Sequence, residues 1–126
     1  MSTSAAQKRR LGRRGEKLAK RYLKKQGYRH VTSNYSTRQG EIDLIMQDAE
    51  TFVFVEVKTR MNEEFALGEQ SVNYSKQKHL SAAARHFIHV NRLQDRPCRF
   101  DVVAVAFPEK SKPVVRHWPK AFTPVS

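Results

Sequence analysis

The sequence predicts a single α/β domain, in which a central mixed sheet of about five strands is flanked by helices. Apolar residues recur at helical spacing near the start of the chain, and several later segments are rich in Val, Phe and Ile. The predicted order is helix, three strands, helix, two strands. A chain of 126 residues fits one domain with one hydrophobic core.

The first helix is predicted over residues 11–26, because apolar and small residues recur there every three or four positions. These residues are Leu11, Gly15, Leu18, Ala19, Tyr22 and Leu23. Gly27 is a natural end for this helix, since glycine readily takes the left-handed conformation that closes one. Residues 1–10 are small and polar, then basic, and predict a flexible tail before a domain spanning residues 11–126.

Five strands and a second helix are predicted along the rest of the chain. The strands cover residues 28–34, 41–47, 51–59, 98–107 and 114–118, and the helix covers residues 71–90. The short polar connection 48–50 predicts that the second and third strands pair as a hairpin. The third strand reads Thr-Phe-Val-Phe-Val-Glu-Val-Lys-Thr, which is typical of a central strand buried on both faces.

Positive charge is concentrated at the start of the chain. The net charge is +12, and residues 1–29 carry eleven Lys and Arg against the single acid Glu16. Such a field favours a polyanionic partner, which could be DNA, RNA or anionic lipid, over a merely solvated helix face with a disordered tail. The candidate nucleic-acid contacts are Arg13, Arg14, Lys17, Lys20, Arg21, Arg60, Lys76 and Lys78.

Three of these contacts have equally simple alternatives. Lys76 and Lys78 fit a solvated helix face as well, and Arg60 fits an ion pair with Glu63 or Glu64.

Composition excludes several classes of protein. Cys98 is the only cysteine, which excludes an internal disulfide and a zinc finger, and the histidines lack metal-ligand spacing. No Gly-rich phosphate loop is present. No apolar run approaches the ~20 residues of a membrane span, and the start lacks the apolar stretch of a secretory signal. We therefore expect a soluble cytoplasmic protein without a membrane partner.

Acidic residues on the second and third strands predict a metal site. If these strands form a hairpin, Asp43 and Glu56 converge, with Lys58 on the same face as Glu56. Two converging carboxylates repel, which raises one pKa or recruits a cation. Oxygen ligands select hard ions, so Mg²⁺ or Mn²⁺ is expected, and the carbonyl of Val57 could add a ligand. Lys58 could then orient the attacking water or stabilise charge on a phosphate.

The residue pattern alone leaves a second interpretation open. Glu56 and Lys58 also fit a solvent-facing pair on an edge strand, and the metal site is favoured only by Asp43, Glu16 and the surrounding charge. Glu41 is interpreted as a strand-end charge more readily than as an extra ligand. Asp101 is interpreted as an ion-pair partner of Arg99 more readily than as a third ligand.

Five ordered motifs resemble the bacterial YraN family, whose members are called endonuclease-like. They are Gly-Glu-Lys-Leu-Ala (15–19), Asn-Tyr (34–35), Gly-Glu-Ile-Asp-Leu-Ile (40–45), Phe-Val-Glu-Val-Lys (54–58) and Arg-Phe-Asp-Val-Val (99–103). The match extends over about residues 12–107. Asp43 followed by Glu56-Val57-Lys58 is also similar to the PD-(D/E)xK nuclease superfamily, which includes the archaeal Holliday junction resolvases.

The resemblance implies a restriction-endonuclease-like fold and a set of functional residues. Asp43 and Glu56 would bind the metal, Lys58 would be the catalytic lysine, and Glu16 a supporting acid. Ile42 stands where the superfamily usually has proline, at a position that shapes the backbone.

The expected function is metal-dependent hydrolysis of DNA, including branched structures such as Holliday junctions. A homodimer is implied by analogy with resolvases. The alternative is a non-catalytic protein that binds DNA or RNA on a nuclease fold.

Overall fold

The computed structural model describes residues 4–61 and 68–125 and has the predicted order of elements. In chain order they are α1 (Ala5–Lys25), β1 (Arg29–Ser36), β2 (Glu41–Asp48), β3 (Thr51–Arg60), α2 (Tyr74–Val90), β4 (Cys98–Ala106) and β5 (Val114–Phe122). Within the described residues, no helix combines the length and apolar character needed to cross a membrane.

The strands form one open sheet in the order β1-β2-β3-β4-β5. Neighbouring strands are antiparallel except for β3 and β4, which run parallel. A parallel pair needs a long crossover connection, and here the crossover contains α2. The predicted mixed α/β sheet is confirmed.

Each face of the sheet is covered by one helix and has its own hydrophobic cluster. On the α1 face, Ala19 and Leu23 pack against Leu44, Met46, Val53, Val55, Val103 and Val105. On the α2 face, Leu80, Ala83, Ala84 and Phe87 pack against Ile42, Ile45, Phe52, Phe54 and Phe100. Because β3 contributes to both clusters, its predicted position as a central strand buried on both faces is confirmed.

Helix α1 begins at Ala5, earlier than predicted, because Ser4 and Gln7 form a capping box. The Gln7 amide donates to Ser4 Oγ at 3.1 Å, and the Ser4 amide donates to Gln7 Oε1 at 2.8 Å. Residues 5–10 are therefore helical, which differs from the flexible tail predicted there. The predicted end is confirmed, since Gly27 has φ +97° and Tyr28 N donates to Leu23 O.

Two other boundaries differ for local reasons. Helix α2 begins at Tyr74 because the Asn73 side chain accepts a hydrogen bond from Lys76 N at 2.8 Å. Strand β5 continues to Phe122 despite Pro119, since an edge strand leaves one row of backbone donors unpaired anyway.

Asp101 is a buried structural acid, as the sequence predicts. It accepts hydrogen bonds from Arg99 Nε at 3.0 Å, His117 Nε2 at 2.7 Å and Lys120 N at 3.2 Å. Although burial opposes ionisation, the bonds from His117 and Arg99 hold the pKa of Asp101 below its ordinary value. This acid therefore joins β4 to β5.

Gly15 allows α1 to approach β3 closely beside the acidic residues. A Cβ atom at Gly15 would lie 2.2 Å from Thr59 Oγ1, whereas one at Gly12 would meet nothing within 4 Å. Thr59 is a short side chain on a central strand and has little freedom to move away. The glycine thus fixes the distance between α1 and the end of β3.

We predict that Gly15→Ala destabilises the fold by about 1–3 kcal/mol through overpacking against Thr59. Gly12→Ala on the same helix should instead stabilise it by up to about 1 kcal/mol, because only the helix propensity changes. Urea unfolding measures both. Equal effects of the two substitutions would contradict the proposed close contact.

Candidate active site

The backbone pairing of β2 with β3 stops where the predicted acidic residues begin. The ladder runs from Asp48–Thr51 to Leu44–Val55. Beyond it, Asp43 Oδ2 accepts a hydrogen bond from Val57 N at 2.8 Å. The carboxyl group of Asp43 therefore replaces a backbone partner and lies beside Glu56.

Asp43 and Glu56 converge as the hairpin argument predicts. The two carboxyl groups are hydrogen-bonded to each other, and burial together with the Glu56 contact raises the pKa of Asp43 to about 8. The negative charge of Glu16 adds to this rise. The raised pKa favours one proton held between the two carboxyl groups at neutral pH, while Asp43 Oδ2 accepts from Val57 N.

Two lysines, one on α2 and one on β3 itself, lie in the neighbourhood of this carboxyl pair. Lys76 Nζ on α2 lies 3.5 Å from Glu56 Oε2, and the Glu56 side chain is only 12% exposed. Lys58 Nζ donates to the carbonyls of Glu69 at 2.7 Å and Ser71 at 2.5 Å. An ammonium has three hydrogens, and these two bonds fix its direction.

The segment after β3 is tied back to the strand by an ion pair. Arg60 Nη2 lies 2.6 Å from Glu69 Oε1, and the Glu69 side chain is almost fully buried. Arg60, predicted as a phosphate contact or as a partner of Glu63 or Glu64, therefore has Glu69 as a partner. Glu63 and Glu64 lie outside the described residues. The pair holds the two carbonyls that orient Lys58.

Glu16 is joined to the start of β2 through Asn34. With its amide nitrogen facing the carboxylates, Asn34 donates to Glu16 Oε1 at 3.2 Å and to Glu41 Oε1 at 3.3 Å. The pKa of Glu16 is raised overall. Burial raises it most, the hydrogen bond from Asn34 lowers it in part, and the negative charge of Glu41 raises it further. Glu41, interpreted as a strand-end charge, therefore lies close enough to Glu16 to act on its pKa.

Asn34 and Glu69 are the two site residues that the sequence analysis did not assign. Asn34 lies on β1 with φ +53°, a conformation that asparagine tolerates better than most residues. Asn34 belongs to the Asn-Tyr motif of the family resemblance, and that motif could have marked it as a site residue. Nothing in the sequence distinguishes Glu69 from the other acids of the same connection.

A basic cleft leads from Glu16 along α1. It encloses about 190 Å³ and is lined by Arg13, Glu16, Lys17, Lys20, Ser33, Asn34 and Leu44. A second, open groove of about 530 Å³ shares Lys17 and Lys20 with this cleft and is also lined by Arg14, Arg21 and Pro113. All five predicted cations of α1 therefore border one of two surface depressions.

The donor atoms of the site are oxygens. Within the described residues, no three His, Cys, Asp or Glu side chains form a ready metal cage. Mg²⁺ commonly uses only one or two carboxylates and takes its other ligands from water and substrate. Asp43 and Glu56 meet that smaller requirement. Val57, predicted as a carbonyl ligand, contacts Asp43 through its amide.

Comparison with known proteins identifies the family. The model of the uncharacterised protein family UPF0102 matches residues 15–105. The chain belongs to the UPF0102 family. A UPF0102 protein of Trichlorobacter lovleyi is 41% identical over 113 residues, which are 89% of each chain. A UPF0102 protein of Geotalea uraniireducens is 40% identical over 121 residues, which are 96% of this chain and 95% of the relative. A Caldicellulosiruptor bescii relative is 46% identical over 96 residues, 75% of this chain and 81% of its own.

The UPF0102 match includes the acidic site but only part of the basic helix. Glu16, Asp43, Glu56 and Lys58 all lie within residues 15–105. Arg13 precedes the matched region, although it lines the same cleft as Glu16. The acidic centre therefore lies in the part of the chain that defines the family.

We predict that the metal-free protein becomes less stable as pH rises from 5 to 8, and that Asp43→Asn removes part of this loss. An unfolded aspartate has a pKa of about 3.9, so between that value and the folded value of about 8 only the folded protein holds the proton. Stability must then fall with rising pH. Urea unfolding in EDTA at both pH values measures the difference.

Asp95→Asn is the control for this experiment, because Asp95 is exposed in the connection after α2. It should follow the wild-type pH profile. Parallel pH profiles for wild type and Asp43→Asn would show that Asp43 does not carry the shifted proton.

Proposed function

We propose that this UPF0102 protein is a metal-dependent endonuclease that hydrolyses phosphodiester bonds in DNA, including DNA at branches. The observation that carries the proposal is the half-buried, hydrogen-bonded pair of Asp43 and Glu56 at the point where β2 and β3 separate. A structural role alone does not account for two acids that oppose each other's ionisation. Asp101, by contrast, is surrounded by donors.

The oxygen donors fit a hard divalent ion, Mg²⁺ or Mn²⁺. Asp43 and Glu56 would hold it, with the Val57 carbonyl as the further ligand that the strand pattern suggests. Such an ion supplies Lewis-acid stabilisation of the phosphate and lowers the pKa of bound water. Glu16, linked to this centre through its charge, would support it from α1.

Lys58 is the group proposed to act on the reacting phosphate. Its ammonium is oriented by the carbonyls of Glu69 and Ser71, and the residue lies two positions after Glu56 on β3. A fixed cation that faces developing negative charge stabilises the transition state without reorganisation. The Arg60–Glu69 ion pair would preserve this orientation from behind.

The cations of α1 are proposed to bind the DNA backbone. Lys17 and Lys20 line the cleft that contains Glu16, so phosphates held there would lie close to the acidic centre. Contacts of this kind read backbone shape more than sequence. They also make binding strongly dependent on salt.

We predict that Glu56→Gln lowers metal-dependent cleavage by about 100-fold or more, because it removes a charged ligand from the proposed centre. Cleavage of a labelled four-way junction and its matched linear duplex, with Mg²⁺ or Mn²⁺, measures this. Glu50→Gln, at an exposed acid in the β2–β3 turn, is the control and should cleave like wild type. Undiminished cleavage by Glu56→Gln, in a preparation free of host nucleases, would refute the assignment.

A second candidate is a DNA- or RNA-binding protein that keeps the nuclease fold without catalysis. The Lys76–Glu56 contact favours it, since an ammonium at 3.5 Å can neutralise Glu56 in place of a metal. Titration with Mn²⁺ separates the two candidates. Tight DNA binding by a protein that binds no Mn²⁺ would support the non-catalytic function.

We predict that Lys17→Ala weakens DNA binding and reduces the slope of log K against log salt by about 1, because one phosphate contact is lost. Arg96→Ala removes an equally exposed cation after α2 and should leave the slope unchanged. Fluorescence anisotropy over a salt series measures both. A matched RNA duplex should compete less well than DNA, and equal or better competition would contradict DNA as the partner.

A further inference from the structure

An exposed aromatic residue begins α2, in the part of the chain that contacts the candidate active site. Tyr74, the first residue of α2, is 64% exposed, more than any other large hydrophobic side chain in the described part of the chain. Burying a ring of this size would stabilise the fold, so leaving it in water has a cost. A single exposed apolar residue is common and by itself indicates little. The position of Tyr74 makes it informative.

The chain around Tyr74 contacts the site on both sides. Three residues earlier, the carbonyl of Ser71 accepts from Lys58 Nζ, and two residues later, Lys76 Nζ approaches Glu56. Tyr74 is therefore held between the two segments that contact the proposed catalytic groups. The ring shares a face of α2 with Lys78, four residues on, whereas Lys76 points to Glu56 from another face. A group bound on the ring would therefore lie near the phosphate that the site is proposed to cleave, at the rim of the site.

Two lysines accompany the ring. Lys78 Nζ lies over Tyr74 at 5.8 Å from the ring centroid, and Lys76 is half exposed. Cores of protein–protein interfaces are depleted of lysine, which disfavours a second copy of this chain as the occupant. An aromatic ring with flanking cations is instead the combination by which proteins bind unpaired nucleotides, through base stacking and phosphate contacts.

We infer that Tyr74 stacks on an unpaired base near the cleavage site, so the substrate is nucleic acid with a single-stranded region close to the cut. The inference rests on the proposed function for the choice of nucleic acid, and it narrows the substrate. In a continuous duplex the bases are stacked on one another and unavailable to the ring. At a branch, flap or single strand, an unstacked base can reach it.

Binding in EDTA tests the inference without requiring cleavage. The probes are one labelled DNA oligonucleotide, single-stranded or annealed to its complement, and the measurement is fluorescence anisotropy at fixed salt. Tyr74→Ala should weaken binding of the single strand about tenfold, the usual effect of losing one stacked base, and change duplex binding less than twofold. Tyr74→Phe keeps the ring and should bind like wild type.

Val90→Ala is the matched control, because Val90 is also exposed but lies at the far end of α2. It should leave both affinities unchanged. Equal losses on single strand and duplex, no loss on either, or a loss with Tyr74→Phe would each overturn the inference.

The same experiment in a Glu56→Gln background separates this inference from the proposed catalysis. If Glu56→Gln cleaves like wild type but the Tyr74 effect on single-strand binding persists, the catalytic assignment fails and the base contact stands. If cleavage depends on Glu56 but Tyr74→Ala binds both probes like wild type, the nuclease stands and the base contact fails.

Discussion

The hydrogen bond from the Val57 amide to the Asp43 carboxyl group determines where β2 and β3 separate, and the site depends on that point. A backbone carbonyl in the same place would continue the ladder and leave no room for two facing acids. Because a side chain takes over the amide, Asp43 is fixed beside Glu56 without an unsatisfied donor. The helix that carries Glu16 can reach this point only because Gly15 lets α1 approach Thr59.

The buried Asp101 and the half-buried Asp43 show how the same residue type takes opposite roles. Asp101 accepts bonds from Arg99, His117 and Lys120, and its pKa is lowered, so its charge is stabilised and holds strands together. Asp43 faces another carboxyl group, and its pKa is raised. A carboxyl group whose pKa is shifted toward the neutral form, within a cluster of acids near a basic cleft, is more typical of a functional site than of a structural one.

Most of the fold could be predicted from the sequence, because strand and helix periodicities were clear and Gly27 marked the end of α1. The start of α1 was missed because basic residues obscured the Ser4–Gln7 capping box. The convergence of Asp43 and Glu56 followed from pairing in a hairpin. The carbonyls of Glu69 and Ser71 that orient Lys58 could not be predicted, because backbone acceptors carry no residue signature and their contacts depend on the crossover.

Because β3 and β4 are parallel, the site is divided between the β2–β3 hairpin and the crossover that connects β3 to β4. Asp43 and Glu56 belong to a tight antiparallel hairpin, whose contacts are local in sequence. The partners of Lys58 and Glu56, from Glu69 to Lys76, lie on the crossover, which packs on the sheet from outside. Opening of the crossover alone would release both lysines while the carboxyl pair stayed in place. The two halves of the site can thus be uncoupled by local unfolding, with the sheet intact.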